Sequence, residues 1–334
     1  MLRCGIIGCG RIVQEGHAPA LQRLQDEIEV AALADPSPAP LAETGQMLAV
    51  PEAHRYADHR QMLERESLDF VDIATPHSAH RQLVLDAAAA GRHILLEKPM
   101  AVSLEEVEEM LEAIGRARIT FCVIHNYWYN PATAAAMQLI REGAIGVPFA
   151  VRSEGMGGGH YPGTAGYDPD WRTKSSLAGG GCLIDNGYHN TYLARHMMTS
   201  PVKRVMASIG THLHPIDVDD TAFVLLEHEN GGTSSIQVAW SVRAGGQGVS
   251  EVHGTEGSID FHREGHPFGL FRDGEWRFPD CQLERTGFEG VFHDFARALQ
   301  GKAEVPTTGE EARESLRVVL AAYRSAREHR VIEL

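Results

Sequence analysis

The chain has 334 residues, of which 43% are hydrophobic, and a formal net charge of −15. This length and composition are typical of a globular protein with two domains of ordinary size. The acidic balance, with no cluster of Lys and Arg, argues against a nucleic-acid partner. No uncharged apolar run reaches the ~18 residues of a membrane span, and residues 1–10 lack the features of a signal peptide. We therefore expect a soluble, cytoplasmic protein.

Cysteine and histidine give no metal pattern. The five cysteines are scattered and include no C-x-x-C pair, which indicates neither a disulfide framework nor a thiolate zinc site. We predict no metal, and a site built from His160, His189 or the pair His212 and His214 is a minor alternative. A nucleophilic Cys182 paired with His189 is weaker still, because Cys182 lies in an apolar setting.

The first part of the chain alternates short β-branched runs with helical patterns, which is typical of βαβ units and a parallel sheet. The predicted strands lie near residues 2–8, 28–34, 69–75, 92–97 and 119–125. The predicted helices lie near residues 79–90, 103–118 and 131–142. Ser103 and Glu106 form a capping box at the start of the second of these helices.

After residue 142 the pattern changes to longer strands separated by Gly-rich turns such as Asn230-Gly231-Gly232, which is typical of an antiparallel sheet. The predicted strands lie near residues 148–155, 201–210, 221–229, 233–243, 249–261 and 269–278, and two helices follow near 288–300 and 309–329. We predict an α/β protein with a Rossmann-type, doubly wound parallel sheet in residues 1–125. Residues 126–334 are predicted to form an α/β domain with a large open, mainly antiparallel sheet.

The stretch CGIIGCGRIV places Gly8 and Gly10 between the first strand and a helix, where the backbone can approach a pyrophosphate. Val13 stands where the fingerprint has its third glycine, so an ordinary glycine turn is the alternative. Asp35 ends the second strand, as expected for a carboxylate that accepts hydrogen bonds from the adenosine ribose, and it favours NAD over NADP. The alternative for Asp35 is a turn-initiating residue before Pro36.

Two further stretches carry a family resemblance, TPHSAHRQLVLDAAAAGRHILLEKPM over residues 75–100 and the pattern W-R…G-G-G-x-x-x-D-x-G-x-H over residues 171–189. With the Gly-x-Gly turn, they resemble the Gfo/Idh/MocA family of NAD(P)-dependent sugar and polyol dehydrogenases. The resemblance covers nearly the whole chain. The residues that carry it are Thr75, Pro76, His80, Gly91, His93, Glu97, Lys98 and Pro99 in the first stretch, and Trp171, Arg172, Gly179, Gly180, Gly181, Asp185, Gly187 and His189 in the second.

The resemblance implies an NAD-binding domain in residues 1–125, a domain for substrate binding and oligomerisation in residues 126–334, and a homodimer or homotetramer. It implies a cofactor site made of Gly8, Gly10, Arg11, Ile12, Asp35, Thr75, Pro76, His77, His80, Glu97, Lys98, Asn126, Trp171 and Arg172. It implies substrate contacts from Lys98, Tyr127, Trp128, Tyr161, Asp185, His189 and Trp240. Ordinary core packing is the alternative for each of these aromatic residues.

Three polar residues are the catalytic candidates. Lys98 follows a buried strand at the carboxyl edge of the sheet, where doubly wound folds bind ligands, and the alternative is a solvated lysine. Asp185 and His189 are one helical turn apart and share a face, so both side chains can meet one hydroxyl, and the alternative is a surface ion pair. In oxidation His189 would take the alcohol proton, Lys98 would stabilise the alkoxide and Asp185 would orient the hydroxyl or the imidazole. The preceding glycines, Gly179 to Gly181, would let the backbone pass close to a ligand.

Two departures from the family pattern bear on the substrate. Trp128 occupies the place of an expected arginine, and Tyr192 stands three residues after His189, where an aspartate is common in the family. The function that the sequence favours is hydride transfer between NAD and a hydroxyl carbon of a sugar, a sugar derivative or an inositol-like cyclic polyol. The alternatives are a sugar epimerase or lyase that uses tightly bound NAD transiently, and an NAD-binding regulatory protein.

Overall fold

The computed structural model describes residues 1–164, 168–243 and 250–334. The chain divides into two compact units, each made of three segments. The first unit comprises Met1–Asn126, Tyr161–Gly179 and Arg285–Arg313, and the second comprises Tyr127–His160, Gly180–Glu284 and Glu314–Leu334. Two segments that lie beyond residue 126 therefore fold with the first unit. The functional division at residue 125 stays a prediction.

The first unit contains a six-stranded sheet in the order β3-β2-β1-β4-β5-β6, in which every pairing is parallel. Its strands are β1 (Leu2–Ile7), β2 (Ile28–Ala34), β3 (Arg55–Tyr56), β4 (Phe70–Ile73), β5 (His93–Leu96) and β6 (Phe121–Val123). The predicted parallel sheet is confirmed, with the two-residue β3 as an addition. The strand order reverses at β1, so the loops after β1 and β4 face the crevice where such folds bind ligands.

The helices in chain order are α1 (Ala18–Arg23), α2 (Pro38–Met47), α3 (His59–Arg65), α4 (His80–Ala89), α5 (Leu104–Ala117), α6 (Pro131–Arg141), α7 (Ser175–Ala178), α8 (Cys182–Met198), α9 (Gly287–Leu299) and α10 (Gly309–Glu328). A π-helical turn, Val13–His17, precedes α1. The capping box at α5 is confirmed in a shifted form. Ser103 Oγ accepts from the Glu106 N–H at 3.2 Å, while the Glu106 carboxylate accepts from the Val102 N–H.

The second unit contains a nine-stranded sheet in the order β14-β13-β12-β11-β7-β10-β9-β8-β15. Its strands are β7 (Pro148–Met156), β8 (Val202–Gly210), β9 (Thr221–His228), β10 (Thr233–Ala239), β11 (Ser250–Gly254), β12 (Gly257–Phe261), β13 (Phe268–Arg272), β14 (Glu275–Arg277) and β15 (Ile332–Glu333). All pairings are antiparallel except β7 with β10. The predicted open, mainly antiparallel sheet is confirmed.

Two of the predicted strands are wrong in detail, because each is a hairpin. The predicted strand 249–261 divides into β11 and β12, and its first residue, Val249, lies outside the described residues. The predicted strand 269–278 divides into β13 and β14. Asp273 and Gly274 connect these two strands with φ values of 56° and 85°, as a two-residue hairpin turn with the right-handed sheet twist requires. The sequence signal for this turn, the dipeptide Asp-Gly, was present.

One face of the second sheet forms the core of its unit. Along β9, Ala222, Val224 and Leu226 are buried, while the alternating residues Phe223 and Leu225 are exposed. Helix α8 packs against β7, β9 and β10. Because α8 carries Asp185 and His189, the buried face of this sheet supports the helix that bears two of the catalytic candidates.

Candidate active site

The glycine turn after β1 has the geometry that a dinucleotide needs. Gly8 has a φ of 96°, and a Cβ there would lie 2.3 Å from the Ala74 carbonyl oxygen, so only glycine fits. A Cβ at Gly10 would meet nothing within 4 Å, which leaves open space beside the backbone. Val13, in place of the third glycine, is fully buried at the start of the π-helical turn. The turn therefore fits a pyrophosphate at Gly10 without a third glycine.

Asp35 lies directly beside this turn. Its Oδ2 accepts from the Cys9 N–H at 2.7 Å, and its Oδ1 accepts from the Ser37 N–H at 2.7 Å. The second contact is the local turn bond that the alternative interpretation required. The first contact, however, ties the carboxylate to the glycine turn, and each oxygen keeps lone pairs for further donors. The site therefore fits the adenosine end of NAD as the sequence predicts.

Segment 161–179 brings several cofactor candidates to the first unit. The Tyr161 hydroxyl bonds Glu15 at 2.5 Å, and the Arg11 guanidinium lies 4.5 Å from the centre of the Tyr161 ring. The Arg172 guanidinium lies 4.2 Å from the Trp171 ring. Tyr161 therefore lies beside Arg11, the residue that follows Gly10. Tyr161, predicted to contact substrate, has ring contacts with the cofactor candidates Arg11 and Arg172.

The two histidine candidates of the first unit contact backbone carbonyls. His77 Nδ1 lies 2.8 Å from the Ala178 oxygen, and its ring packs edge-on against Trp171. His80 is fully buried, with its ring nitrogens 3.0 Å from the Thr75 oxygen and 2.9 Å from the Pro99 oxygen. Burial lowers the pKa of His80 below its ordinary value, against the opposing effect of these two carbonyl contacts. These contacts connect the Thr75–Pro76 loop to the Lys98–Pro99 loop, and a direct cofactor contact stays a prediction for both residues.

A buried charged network lies beneath Lys98. His17 has no exposed surface, and its Nδ1 lies 2.7 Å from Asp72 while its Nε2 lies 3.0 Å from Glu97. The other oxygen of Glu97 accepts from the Lys98 backbone N–H at 3.0 Å. Burial alone would lower the pKa of His17, but the attraction and hydrogen bonds of Asp72 and Glu97 outweigh it and raise the pKa to about 10. Glu97 therefore contacts the buried imidazolium of His17 with one carboxylate oxygen and the backbone N–H of Lys98 with the other.

This network predicts a loss of stability at alkaline pH. The pKa of His17 is raised from 6.5 to about 10 on folding. Its stabilising charge is therefore complete below about pH 6.5 and is lost as the pH rises through 10. The melting temperature should fall more steeply over this range in the wild type than in Asp72→Asn, which removes the main partner of the imidazolium. Thermal unfolding at a series of pH values measures this, and equal slopes in the two proteins would contradict it.

Helix α8 presents the catalytic candidates of the second unit. Asp185 and His189 are both buried and lie one turn apart, as predicted. His189 Nδ1 lies 3.0 Å from the Tyr192 hydroxyl, which also accepts from the Tyr127 N–H at 3.2 Å. The Tyr127 ring stacks on the imidazole with a centroid distance of 4.1 Å. Tyr192 thus holds the edge of the His189 ring, and Tyr127 packs across its face.

The aromatic substrate candidates of the second unit differ in exposure. Tyr127 is 47% exposed, whereas Trp240 is only 2% exposed and donates from Nε1 to Asn186 at 2.6 Å. Trp128 is half-buried and packs edge-on against His196. Tyr127 therefore keeps a surface for a sugar face, while Trp240 has the burial of a core residue.

Close contacts within the protein explain why glycine stands at the three positions before α8. A Cβ at Gly179, where φ is 78°, would lie 2.6 Å from the Val102 side chain. A Cβ at Gly180 would lie 2.4 Å from the Tyr323 hydroxyl oxygen, and one at Gly181 would lie 1.9 Å from the Asp219 carbonyl oxygen. These contacts account for all three glycines, so the expected passage beside a ligand is not needed to explain them.

The minor alternatives gain no support from the described residues. Burial, followed by the charge of Asp219, raises the pKa of the Cys182 thiol, which disfavours a nucleophilic thiolate. Within residues 1–164, 168–243 and 250–334, no three His, Cys, Asp or Glu side chains are grouped to hold a metal ion. No helix in those ranges combines the length and apolar character needed to cross a membrane.

The comparisons with known proteins agree with this geometry. The family model described as an oxidoreductase family with an NAD-binding Rossmann fold matches residues 2–125, and that of the Gfo/Idh/MocA C-terminal domain matches residues 133–260. The chain is 31% identical to levoglucosan dehydrogenase of Pseudarthrobacter phenanthrenivorans, over 80% of this chain and 75% of that protein. It is also 31% identical to D-apiose dehydrogenase of Paraburkholderia graminis, over 98% of this chain and 88% of that protein.

A solved structure extends the similarity to the whole fold. Levoglucosan dehydrogenase in complex with NADH matches with a TM-score of 0.87 at 25% identity, covering 99% of this chain and 98% of that one. The parallel sheet, the glycine turn and the matching model define an NAD-binding oxidoreductase. The chain belongs to the Gfo/Idh/MocA family, as its motifs predicted.

Sequence reasoning missed several residues that shape the site. His17 and Asp72 are 55 residues apart in the chain, so local patterns gave no sign that they pair. Asp219 and Tyr323 reach the start of α8 from positions more than thirty residues away in the chain, beyond the range of local patterns. The stretch DVDD before β9 was a usable signal, because adjacent acidic residues at the entrance to a buried strand need several donors.

Proposed function

We propose that this protein is an NAD-dependent dehydrogenase or reductase acting on a hydroxyl-bearing carbon of a sugar, a sugar derivative or a cyclic polyol. The observation that carries the proposal is the buried pair Asp185 and His189 on one face of α8, in a chain whose glycine turn and Asp35 fit NAD. The similarity to levoglucosan dehydrogenase and D-apiose dehydrogenase supports a carbohydrate substrate.

The proposed mechanism assigns one role to each polar residue. Bound NAD supplies the hydride acceptor. His189 takes the alcohol proton in oxidation, Lys98 stabilises the developing alkoxide and Asp185 orients the hydroxyl or the imidazole. In reduction His189 returns the proton.

The contacts of His189 indicate which of its nitrogens acts. Nδ1 faces the Tyr192 hydroxyl, so we assign proton transfer to Nε2. A neutral imidazole can accept at Nε2 only if Nδ1 carries the hydrogen, which then points at the Tyr192 oxygen. That oxygen has two lone pairs, enough for both this hydrogen and the Tyr127 N–H. Tyr192 can therefore select this tautomer of His189. It does so without adding a negative charge, unlike the aspartate that is common in the family at this position.

The direct test is a substrate screen. Purified protein is incubated with NAD and a panel of sugars, anhydrosugars, sugar acids and cyclic polyols, and the absorbance of NADH is followed. We expect NADH formation with at least one member, and formation slower by about 10²-fold or more with the same compound when Lys98→Ala replaces the wild type. Reduced nicotinamide formed equally by both proteins would contradict the assigned site.

Asp35 provides a prediction about cofactor choice. We expect the wild type to bind NAD more tightly than NADP, because a 2′-phosphate would lie against the Asp35 carboxylate. Asp35→Ser should narrow this difference, mainly by improving the affinity for NADP. Fluorescence titration with both cofactors measures it, and equal affinities in the wild type would remove the role of Asp35.

Three wider features complete the proposal. Residues 1–125 bind NAD, and residues 126–334 bind the substrate and form a homodimer or homotetramer. The exposed side chains of Met206, Phe223 and Leu225, on the face of the second sheet opposite its core, support such an assembly, and light scattering measures it. The protein is cytoplasmic, in keeping with five cysteines that form no disulfide.

A further inference from the structure

The first turn of α8 receives no cap from its own neighbours. Its N-cap residue is Gly181, which has no side chain. The first four N–H groups of a helix have no partner inside the helix and must find one elsewhere. In a buried helix start, leaving them unpaired would cost about 1–3 kcal/mol each. The partners in this protein come from two distant positions, Asp219 and Tyr323.

Asp219 bonds three of these groups. Its Oδ1 accepts from the Gly181 N–H at 2.7 Å and its Oδ2 from the Leu183 N–H at 2.9 Å. Its backbone oxygen accepts from the Cys182 N–H at 2.9 Å. The Ile184 N–H donates to the Tyr323 hydroxyl at 3.2 Å. Every N–H from residue 181 to residue 184 therefore has a partner on Asp219 or Tyr323.

The carboxylate of Asp219 is itself held in place. The Tyr323 hydroxyl donates to Oδ1 at 2.8 Å, and the Cys182 thiol donates to Oδ2 at 3.3 Å. Burial, followed by the charge of Asp219, raises the pKa of both donors, so both keep their hydrogens. Only 7% of Asp219 is exposed, and the positive end of the α8 dipole further stabilises its charge. Four donors and the helix dipole offset the cost of burying this carboxylate.

This arrangement determines where α8 begins. A Cβ at Gly181 would lie 1.9 Å from the Asp219 carbonyl oxygen, so the helix start is in direct backbone contact with Asp219, two residues before β9. Asp185 donates its N–H to the Gly181 oxygen at 3.1 Å, the first hydrogen bond inside the helix. Asp185 thus lies one turn from the anchored end, and His189 lies two turns from it.

We propose that Asp219, supported by Tyr323, is a positioning residue that anchors the start of α8 and so holds Asp185 and His189 in their working geometry. The proposal rests on the proposed function, because it requires that these two residues act in catalysis. Asp219 is assigned no contact with substrate. Its effect on the reaction is indirect, and a displacement of about 1 Å in a catalytic group can lower the rate by about 10²-fold.

The test begins with Asp219→Asn, which keeps the size of the side chain but turns an NH₂ group toward two of the four donors. We expect the turnover number to fall by about tenfold or more, with NAD affinity unchanged because the described contacts of Asp219 include none of the cofactor candidates. In a background that lacks both side chains, Asp185→Ala with His189→Ala, the same substitution should have little further effect on the residual turnover. A residue that acts through Asp185 and His189 loses its influence when both are absent.

A matched pair of hydroxyl deletions on α10 provides the control. Tyr323→Phe removes the hydroxyl that supports Asp219. Ser325→Ala removes a buried hydroxyl two residues later, which accepts from the Ala207 N–H and donates to the Arg330 carbonyl. Both variants should melt at a lower temperature, but only Tyr323→Phe should lower the turnover number. If Asp219→Asn does not fold, the comparison of Tyr323→Phe with Ser325→Ala tests the positioning role by itself.

The outcomes separate the two claims. Wild-type turnover in Asp219→Asn or in Tyr323→Phe, with inactive His189→Ala, would overturn the positioning role alone. Equal fractional losses of turnover from Asp219→Asn with and without the Asp185 and His189 side chains would also overturn it. Full activity in His189→Ala would overturn the catalytic assignment, and the positioning role with it.

Discussion

Lys98→Ala and His189→Ala are each expected to lower the turnover number for oxidation by about 10²-fold or more, while NAD affinity changes little. The reason is that each side chain is assigned to the proton and charge of the reacting hydroxyl, which change only during the reaction. Stopped-flow or steady-state formation of NADH gives the turnover number, and fluorescence titration gives the NAD affinity. Lys302→Ala, which removes an exposed lysine of the first unit, should retain full activity.

The double variant gives a sharper form of the same prediction. If Lys98 and His189 act on one hydroxyl, the double variant should be little slower than the slower single variant. Full activity in His189→Ala would contradict the proton-transfer role. Full activity in Lys98→Ala would make the Glu-Lys-Pro match structural only, with Glu97 and His17 serving the fold rather than the site.

Gly181→Ala is expected to lower the free energy of unfolding by at least about 1–3 kcal/mol. The new Cβ would lie 1.9 Å from the Asp219 carbonyl oxygen, and backbone atoms cannot move away as a flexible side chain can. Separating the two backbones would also break the hydrogen bonds that Asp219 accepts from the start of α8. Urea unfolding measures the change.

Gly159→Ala is the matched control for this prediction. Gly159 lies in the same unit, lacks a positive φ, and a Cβ there would meet nothing within 4 Å. Its substitution should leave the free energy of unfolding unchanged or slightly raised, because alanine lowers the entropy of the unfolded chain. Equal stability of the two variants would contradict the account of why glycine stands at position 181.

The sequence predicted those parts of the fold that depend on local patterns. Buried runs such as His93–Leu96 in β5 and the capping residues of α5 depend on neighbours within a few positions, and both lie where they were expected. Short elements escaped prediction because two-residue strands such as β3 and β15 carry no periodicity. The hairpin at Asp273 and Gly274 was missed although its turn residues were typical.

The candidate site could be predicted only as a set of residues. Asp185 and His189 share a helical face by spacing alone, which the sequence predicted, whereas their burial on α8 is a finding of the structure. The contacts that hold them do not, because Asp219 is 34 residues beyond Asp185 and the Tyr127 ring comes from 62 residues before His189. The folding of segment 161–179 with the first unit is likewise a long-range result. Pairings of this kind depend on packing across the whole unit.

The central claim is net hydride transfer from a sugar or polyol carbon to NAD, and isotope transfer measures it most directly. Once the screen identifies a substrate, the same compound is prepared with deuterium on the reacting carbon, and the products are analysed by mass spectrometry. We predict that deuterium accumulates in free NADH in equal amount to the oxidised carbohydrate. Deuterium that returns to a carbohydrate product, with no reduced nicotinamide released, would contradict the claim and establish an enzyme that uses retained NAD only transiently.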